Sequence, residues 1–385
     1  MLNFEFHNPS KIVFGANTVA KLSKLVPETA RVLILFGGAS AEKTGTLAEV
    51  RAALGARAVQ EFGGIEPNPS YETLMRAVQQ VRREKLDFLL AVGGGSVIDG
   101  TKFVAAAANY AGEPWDILQT GGACIDSALP FGAVLTLPAT GSEMNNGGVV
   151  TMKATHTKLP FRSAHTFPLF SVLDPSKTFT LPTQQIANGV ADAFVHTVEQ
   201  YLTYPVRAMV QDRFAEGLLQ TLIEIAPQAL AAPDDYDTRS NLMWAASLAL
   251  NGLIGAGVPQ DWGTHMIGHE LTALYNMDHA RTLAIVLPSL LIVQRDKKHA
   301  KLLQYGERVW SITEGSEEQR IDAAIGATRE FFESLGIKTR LSDYGLGQEA
   351  VEAVLAQLEA HGMVKLGEHK DIDLARSRAI LEAAL

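Results

Sequence analysis

The run Leu86-Asp-Phe-Leu-Leu-Ala-Val92 is closed by Gly93-Gly94-Gly95-Ser96, and a helical pattern starts at once over residues 97–110. A buried strand that hands over to a helix through a glycine turn needs a second layer to cover it, so this junction constrains the fold strongly. Two more apolar runs repeat the device. Arg31-Val-Leu-Ile-Leu-Phe36 ends at Gly37-Gly38, and Phe131-Gly-Ala-Val-Leu-Thr-Leu137 stops at Pro138. Helical periodicity over 46–54, 71–84 and 97–110 fills the intervals. Strands alternating with helices in this way predict a parallel sheet covered by helices. The opening segment is different: Phe4 and Phe6 alternate with polar neighbours, and Lys11-Ile-Val-Phe14 follows. It reads as an edge hairpin or as a strand exchanged with a partner subunit.

Past Leu173-Asp-Pro175 and Leu181-Pro182 the rhythm changes to helices, among them 212–224, 237–253, 264–274 and 317–335. The expected organisation is an α/β, Rossmann-like domain over residues 1–180 followed by an all-α domain over 181–385. A chain of 385 residues, 47% hydrophobic, has ample material for two such cores. Its net charge of −9 argues against nucleic acid or an anionic membrane as partner. The single cysteine, Cys124, allows no internal disulfide, which fits a reducing compartment. Met1-Leu-Asn-Phe-Glu-Phe-His7 lacks the basic and apolar regions of a signal peptide. Leu283-Ala-Ile-Val-Leu-Pro-Ser-Leu-Leu-Ile-Val293 is too short to span a bilayer. A cytoplasmic protein is expected.

The turn at Gly93–Ser96 allows backbone N–H groups to approach a pyrophosphate at a helix N-terminus. It is not the dinucleotide fingerprint, because Ile98 stands where the third glycine belongs, and Gly-Lys-Ser/Thr of a P-loop is missing. Taken alone it is equally an ordinary tight turn, with Asp99 a favourable charge near the helix dipole. A second segment, Phe36-Gly37-Gly38-Ala39-Ser40-Ala-Glu-Lys43-Thr44, has no acidic residue before Glu42. NAD-preferring enzymes usually place a carboxylate on the adenosine ribose, where it repels a 2′-phosphate. Ser40 and Lys43 beside Gly37 and Gly38 suit that phosphate instead; the bland alternative is a solvated turn.

Metal chemistry is indicated further on. In Asn188-Gly-Val-Ala-Asp192-Ala-Phe-Val-His196 the Asp and His share a helix face, with Ala187, Val190, Phe194, Val198 and Tyr201 on another arc. The polar arc therefore fits either a solvated face or a cleft. Asp261-Trp-Gly-Thr-His265-Met-Ile-Gly-His269-Glu holds two histidines one turn apart, and His279 follows. HExxH is excluded by Met266. Asp192, His196, His265 and His279 together suit a borderline divalent cation, leaving His269 nearby as a proton carrier.

These motifs, in this order, resemble the iron-containing (group III) alcohol dehydrogenase family over essentially the whole chain. The matching pieces include Gly64-Ile-Glu-Pro-Asn68-Pro69, Ala91-Val-Gly-Gly-Gly-Ser96-x-x-Asp99, Thr140-Gly-Ser-Glu143, Leu173-Asp-Pro175, Asp192-Ala-Phe-Val-His196-x-x-Glu199, His265-x3-His269 and His279-Ala-x3-Ala284-x2-Leu287-Pro288. Phe62-Gly-Gly-Ile-Glu-Pro-Asn68, Asn251-Gly-Leu-Ile-Gly-Ala-Gly-Val-Pro-Gln-Asp-Trp262 and Leu303-Gln-Tyr-Gly-Glu-Arg-Val-Trp310 resemble its bacterial branch of NADPH-dependent aldehyde reductases and butanol dehydrogenases. The resemblance implies a cofactor and a metal, Fe2+ or Zn2+, in a cleft between the two domains, and a homodimer. It implies that Asp192, His196, His265 and His279 ligate the metal and that His269 lies near the nicotinamide. By position it assigns Gly94, Gly95 and Ser96 to the pyrophosphate loop. Asn68, Thr136, Leu137, Thr140 and Lys158 match other cofactor contacts, with Asp99 grouped among them. Gly37-Gly38-Ala39-Ser40, where NAD-preferring relatives carry Asp, favours NADP(H). Met144 and Asn145-Asn146 depart from the commoner Val-Thr and put substrate range in question.

The implied reaction is hydride transfer between NADP(H) and a short aldehyde or primary alcohol. A metal-dependent lyase of the dehydroquinate synthase kind shares this architecture, but few Lys or Arg near the ligands suit its phosphorylated, carboxylated substrate. A nucleotide-binding module with a structural metal is the third reading. Structural zinc prefers Cys-rich ligation, and no cysteine is near.

Overall fold

The computed structural model describes residues 1–385, which divide into two compact units. One comprises His7–Leu181 and Ala232–Ser247; the other comprises Met1–Phe6, Pro182–Ala231 and Leu248–Leu385.

The first unit is α/β. Its strands are β1 (Lys11–Phe14), β2 (Arg31–Phe36), β3 (Ala58–Phe62), β4 (Phe88–Gly94), β5 (Phe131–Leu137), β6 (Gly147–Met152), β7 (Thr157–Arg162) and β8 (Phe170–Leu173). Between them run α1 (Leu22–Leu25), α2 (Ser40–Lys43), α3 (Thr46–Leu54), α4 (Tyr71–Glu84), α5 (Gly95–Asn109) and α6 (Asp116–Gln119). Six strands form one parallel sheet in the order β1-β8-β5-β4-β2-β3. The central strands read as continuous apolar runs because both faces are covered. From Phe88 to Val92 every residue is at most 2% exposed. Each large apolar side chain so buried contributes roughly 1.5–3 kcal/mol.

The opening segment differs from the hairpin reading. Lys11–Phe14 pairs in parallel with β8 of the same chain, Lys11 opposite Phe170, so it is an edge strand and not a hairpin. The β6–β7 ribbon, antiparallel from Gly147↔Arg162 to Met152↔Thr157, is not apparent in the hydrophobic pattern. Pro160 interrupts it, and its residues alternate only loosely between buried and exposed.

The topology fixes where a ligand can sit. From β2 the chain passes outward to β3 and returns on the opposite side of β2 as β4, so the strand order reverses between β2 and β4. A crevice opens at the carboxyl ends of strands at such a switch point. Phe36 lies opposite Val92, which brings Gly37-Gly38 and Gly94-Gly95 side by side there.

The second unit is helical: α7 (Thr183–Tyr201), α8 (Met209–Ala231), α10 (Gly263–Tyr275), α11 (His279–Val293), α12 (Arg295–Trp310), α13 (Glu317–Ser334), α14 (Gln348–Ala360) and α15 (Leu374–Ala383). Helix α9 (Tyr236–Ala249) lies for most of its length in the first unit. There Met243 enters the core beneath the sheet, Trp244 meets Phe14 edge to face at 6.2 Å, and Ser247 Oγ donates to Glu143. Met1–Phe6 belongs with the helical unit, where Leu2 N donates to Gly257 O at 2.9 Å. The units therefore depart from a division into 1–180 and 181–385 at these two segments. The α9 crossing follows from Met243 finding its apolar partners away from its sequence neighbours, whereas Met1–Phe6 keeps its large apolar side chains about half exposed. No helix is long and apolar enough to cross a membrane.

Candidate metal centre and nucleotide-binding turn

Helix α7 is buried on every side from Gly189 to Tyr201, so its polar arc is not a solvated face. Asp192, His196 and Glu199 lie along that arc at 3%, 4% and 2% exposure. Burying three such groups is costly unless something compensates them. Helix α10 brings His265 and His269 to the same region. It ends at Asn276, whose left-handed conformation turns the chain so that His279 opens α11.

The ligand atoms of Asp192, His265 and His279 all lie within 4.8 Å of one another. Around Asp192 Oδ1 stand His196 Nδ1 at 3.7 Å, His279 Nε2 at 3.8 Å and His265 Nε2 at 4.0 Å. His196 borders the tightest group, its ring stacked on that of His265 with centroids 4.6 Å apart. These distances exceed hydrogen bonds. Ligand atoms held about 2.0–2.2 Å from one tetrahedral ion stand roughly 3.3–3.6 Å apart, a few tenths of an ångström closer. Asp192 Oδ1 is buried and receives no hydrogen bond. One carboxylate oxygen facing three imidazole nitrogens fits a divalent cation chemically and sterically. His269 lies beside the group, its ring centroid 5.3 Å from that of His279 and 6.2 Å from that of His265.

Glu199 acquires a role that the sequence motif did not assign. Its Oε2 contacts His265 Nδ1 directly, and its Oε1 accepts from Thr264 N at 2.7 Å and His265 N at 3.4 Å. A carboxylate on the far nitrogen of a ligating histidine fixes the tautomer and aims the other nitrogen at the metal. The i, i+4, i+7 spacing of Asp192, His196 and Glu199 was the available signal. Burial, reinforced by the nearby Asp261 carboxylate, pushes the Glu199 carboxyl up, while the Thr264 N–H and His196 oppose that rise. Asp261 in turn anchors the start of α10. Its Oδ1 accepts from Gly263 N at 2.8 Å, and its Oδ2 pairs with Lys298 Nζ at 2.6 Å. Lys298 also pairs with Glu368 at 2.9 Å, and all three side chains are at most 3% exposed.

In the α/β unit most of the expected nucleotide contacts gather at the switch-point crevice. Gly94 lies opposite Leu137, with Thr136 beside it on β5. A Cβ on Gly95 would stand 2.4 Å from Thr140 Oγ1 and 2.5 Å from its Cγ2, so only glycine fits between β4 and that loop. Ser96 Oγ accepts from Asn68 N at 3.3 Å, and Lys158 Nζ donates to Asn68 Oδ1 at 2.9 Å. Gly95 and Ser96 open the 15-residue α5, whose N-terminus offers N–H groups and a positive dipole end. Gly37 and Gly38 follow the neighbouring β2, with Ser40 and Lys43 exposed on α2. A pyrophosphate fits the N–H groups and positive dipole end that the turn into α5 offers.

Asp99 is engaged differently. Its Oδ1 accepts from Ser142 Oγ at 2.5 Å and its Oδ2 from Val149 N at 3.0 Å, which ties α5 to β6 and leaves little of the carboxylate for a ligand. Burial pushes this carboxyl up, opposed chiefly by Lys102. Lys102 is fully buried and donates to Ser142 Oγ at 2.8 Å, Asn145 Oδ1 at 2.8 Å and Gly147 O at 2.7 Å. Burial draws its ammonium down to about 8, against the pull of Asp99 and Glu143. Asn145 also donates to Gly141 O at 2.9 Å, so this departure from the family pattern works as a clamp on the loop.

Comparison with known proteins places the chain in a family. The model for iron-containing alcohol dehydrogenases matches residues 9–175, and that for the C-terminal part of the Fe-containing alcohol dehydrogenase family matches 186–385. The chain is similar to the NADPH-dependent aldehyde reductase YqhD of Escherichia coli K12, 64% identical over 386 residues covering 100% of both chains. The crystal structure of E. coli YqhD matches with a TM-score of 0.99 at 63% identity, covering 100% of this chain and 99% of that one. The NADH-dependent butanol dehydrogenase A of Thermotoga maritima matches with a TM-score of 0.94 at 35% identity, again covering 100% and 99%.

Proposed function

This chain belongs to the iron-containing alcohol dehydrogenase family, and from that premise we propose that it reduces short-chain aldehydes to primary alcohols with NADPH, reversibly. It is an oxidoreductase acting on CH–OH groups. The observation that carries the reading is the convergence of His196, His265 and His279 on one buried oxygen of Asp192. Fe2+ and Zn2+ are the ions proposed, since imidazole and carboxylate suit both. When bound, the metal supplies a Lewis acid for a carbonyl oxygen and the nicotinamide supplies the hydride.

The rest is work for the chain's own side chains. Glu199 keeps the proton of His265 on Nδ1, which leaves Nε2 a lone pair toward Asp192. Reduction of an aldehyde also consumes one proton at the carbonyl oxygen. Buried His269, beside the ligand group but outside its tightest cluster, is the residue proposed to hold it. Gly94, Gly95 and Ser96 receive the pyrophosphate, with Asn68 and Lys158 alongside. Ser40 and Lys43, at the end of a strand with no terminal carboxylate, support NADP(H) over NAD(H). A cytoplasmic homodimer completes the reading, supported by the lone Cys124 and by Phe14 and Trp244, 39% and 38% exposed beside the edge strand β1.

Oxidation of NADPH and of NADH by purified protein, measured against a panel of C2 to C6 aldehydes, tests the proposal. Aldehyde-dependent oxidation is expected with NADPH preferred, and no oxidation of either cofactor would refute it. His269→Ala should retain metal by elemental analysis while turnover falls, whereas Asp192→Ala should lose both.

A further inference from the structure

Glu42 is the first acidic residue after β2, two positions past Ser40 and next to Lys43, on the short helix that follows Gly37-Gly38. A second carboxylate, Glu61, stands near the end of the adjacent edge strand β3, opposite Ile34. Two free carboxylates at this corner would be the arrangement that repels a ribose 2′-phosphate. Neither is free. Arg51, on α3, grips Glu42 with a fork of two hydrogen bonds, Nη1 to Oε1 at 2.9 Å and Nη2 to Oε2 at 2.8 Å. The same guanidinium holds Glu61 through Nε at 2.6 Å and Nη2 at 2.9 Å.

We infer that Arg51 is a specificity-determining residue, masking Glu42 and Glu61 so that a cofactor bearing a 2′-phosphate is accepted beside Ser40 and Lys43. The inference rests on the NADP(H) reading above and adds to it a residue that touches no cofactor. A planar five-donor fork suits the task, because one guanidinium can grip two carboxylates with paired hydrogen bonds to each. It also explains why Lys43 stays available: its neighbour Glu42 is turned to Arg51 instead. Counting Lys43 and Arg51 against Glu42 and Glu61, two positive and two negative charges balance. Without Arg51 the corner carries one net negative charge and two released acceptors.

The cluster is solvent-exposed, with side-chain exposures of 38%, 52% and 33% for Arg51, Glu42 and Glu61. The effect is accordingly modest and salt-sensitive. Arg51→Met is expected to raise the KM for NADPH about three- to tenfold at low ionic strength. The KM for NADH should stay within about twofold and kcat should hardly move. At about 1 M salt, where the screening length falls to about 3 Å, most of the difference should vanish. The triple variant R51M/E42Q/E61Q separates masking from direct contact, since neutralising the carboxylates should restore the KM for NADPH. An unchanged KM in R51M overturns the inference. A triple variant as impaired as R51M overturns it too, by making Arg51 itself the phosphate ligand. A wild-type enzyme without preference for NADPH is a separate outcome: it removes the NADP(H) reading and the inference with it.

Discussion

Replacing Glu199 by Gln tests how the helical unit aims a histidine at a metal. In the native arrangement Oε1 receives two backbone N–H groups, from Thr264 at 2.7 Å and His265 at 3.4 Å, while Oε2 meets the His265 Nδ1 proton. A glutamine has one acceptor and one donor end, so it cannot satisfy both sides. With its oxygen toward the backbone, its NH2 faces Nδ1. That contact forces the imidazole proton onto Nε2, the atom 4.0 Å from Asp192 Oδ1, and removes the lone pair that would ligate. Flipped, the NH2 confronts two backbone donors. Loss of such an outer partner typically lowers metal affinity about 10- to 100-fold, or roughly 1.4–2.7 kcal/mol. The backbone bonds survive in the first orientation, so the metal-free fold should lose no more than about 1 kcal/mol. Chelator competition with Zn2+ and Fe2+, paired with urea unfolding of the metal-free protein, reads the two effects separately. An affinity within about twofold of wild type would refute the reasoning, as would a stability loss large enough to account for the whole change.

Two further perturbations address the α/β unit. Gly95→Ala places its Cβ 2.4 Å from Thr140 Oγ1, an overlap of about 1 Å; overpacking of that kind costs about 1–3 kcal/mol and should weaken NADPH binding by displacing the turn. Cofactor fluorescence titration of G95A and G95A/T140A checks this, with binding partly recovered in the double variant. Burial holds the Lys102 ammonium at about 8 rather than 10.5, so the folded state releases that proton first. The depressed pKa makes stability rise between about pH 8 and 10.5, by up to about 3 kcal/mol. Urea unfolding at pH 7.5, 9 and 10 should show this slope in wild type and a flatter one in Lys102→Met.

Much of the fold was legible because its signals are local. The strands Arg31–Phe36 and Phe131–Leu137 and the helices Thr46–Leu54 and Tyr71–Glu84 begin and end where glycine, proline and apolar periodicity place them. What escaped depends on distant partners. Ala58–Phe62 alternates weakly since it sits at a sheet edge, and the β6–β7 ribbon is held by Lys102 and Asp99 from another element. The polar arc of α7 looked compatible with solvent, because a sequence shows the residues on a helix face but not what covers them. In the site, spacing brought out Asp192 with His196, and His265 with His279 beyond the end of its helix. The partner of His265 lies 66 positions away, at Glu199, and no periodicity links the two.

The residence of α9 in the α/β unit bears on how the protein is made. Glu143 waits for Ser247, and the core beneath the sheet for Met243, so the α/β unit cannot finish its core until residue 247 has left the ribosome. By then α7 and α8 have already been synthesised, and their apolar faces must be kept from misassembly while the earlier unit closes. A fragment ending at Leu181 would lack Met243, Trp244 and Ser247, which makes the cofactor half a poor module to excise. A graft or fusion built on it needs the α9 segment carried along.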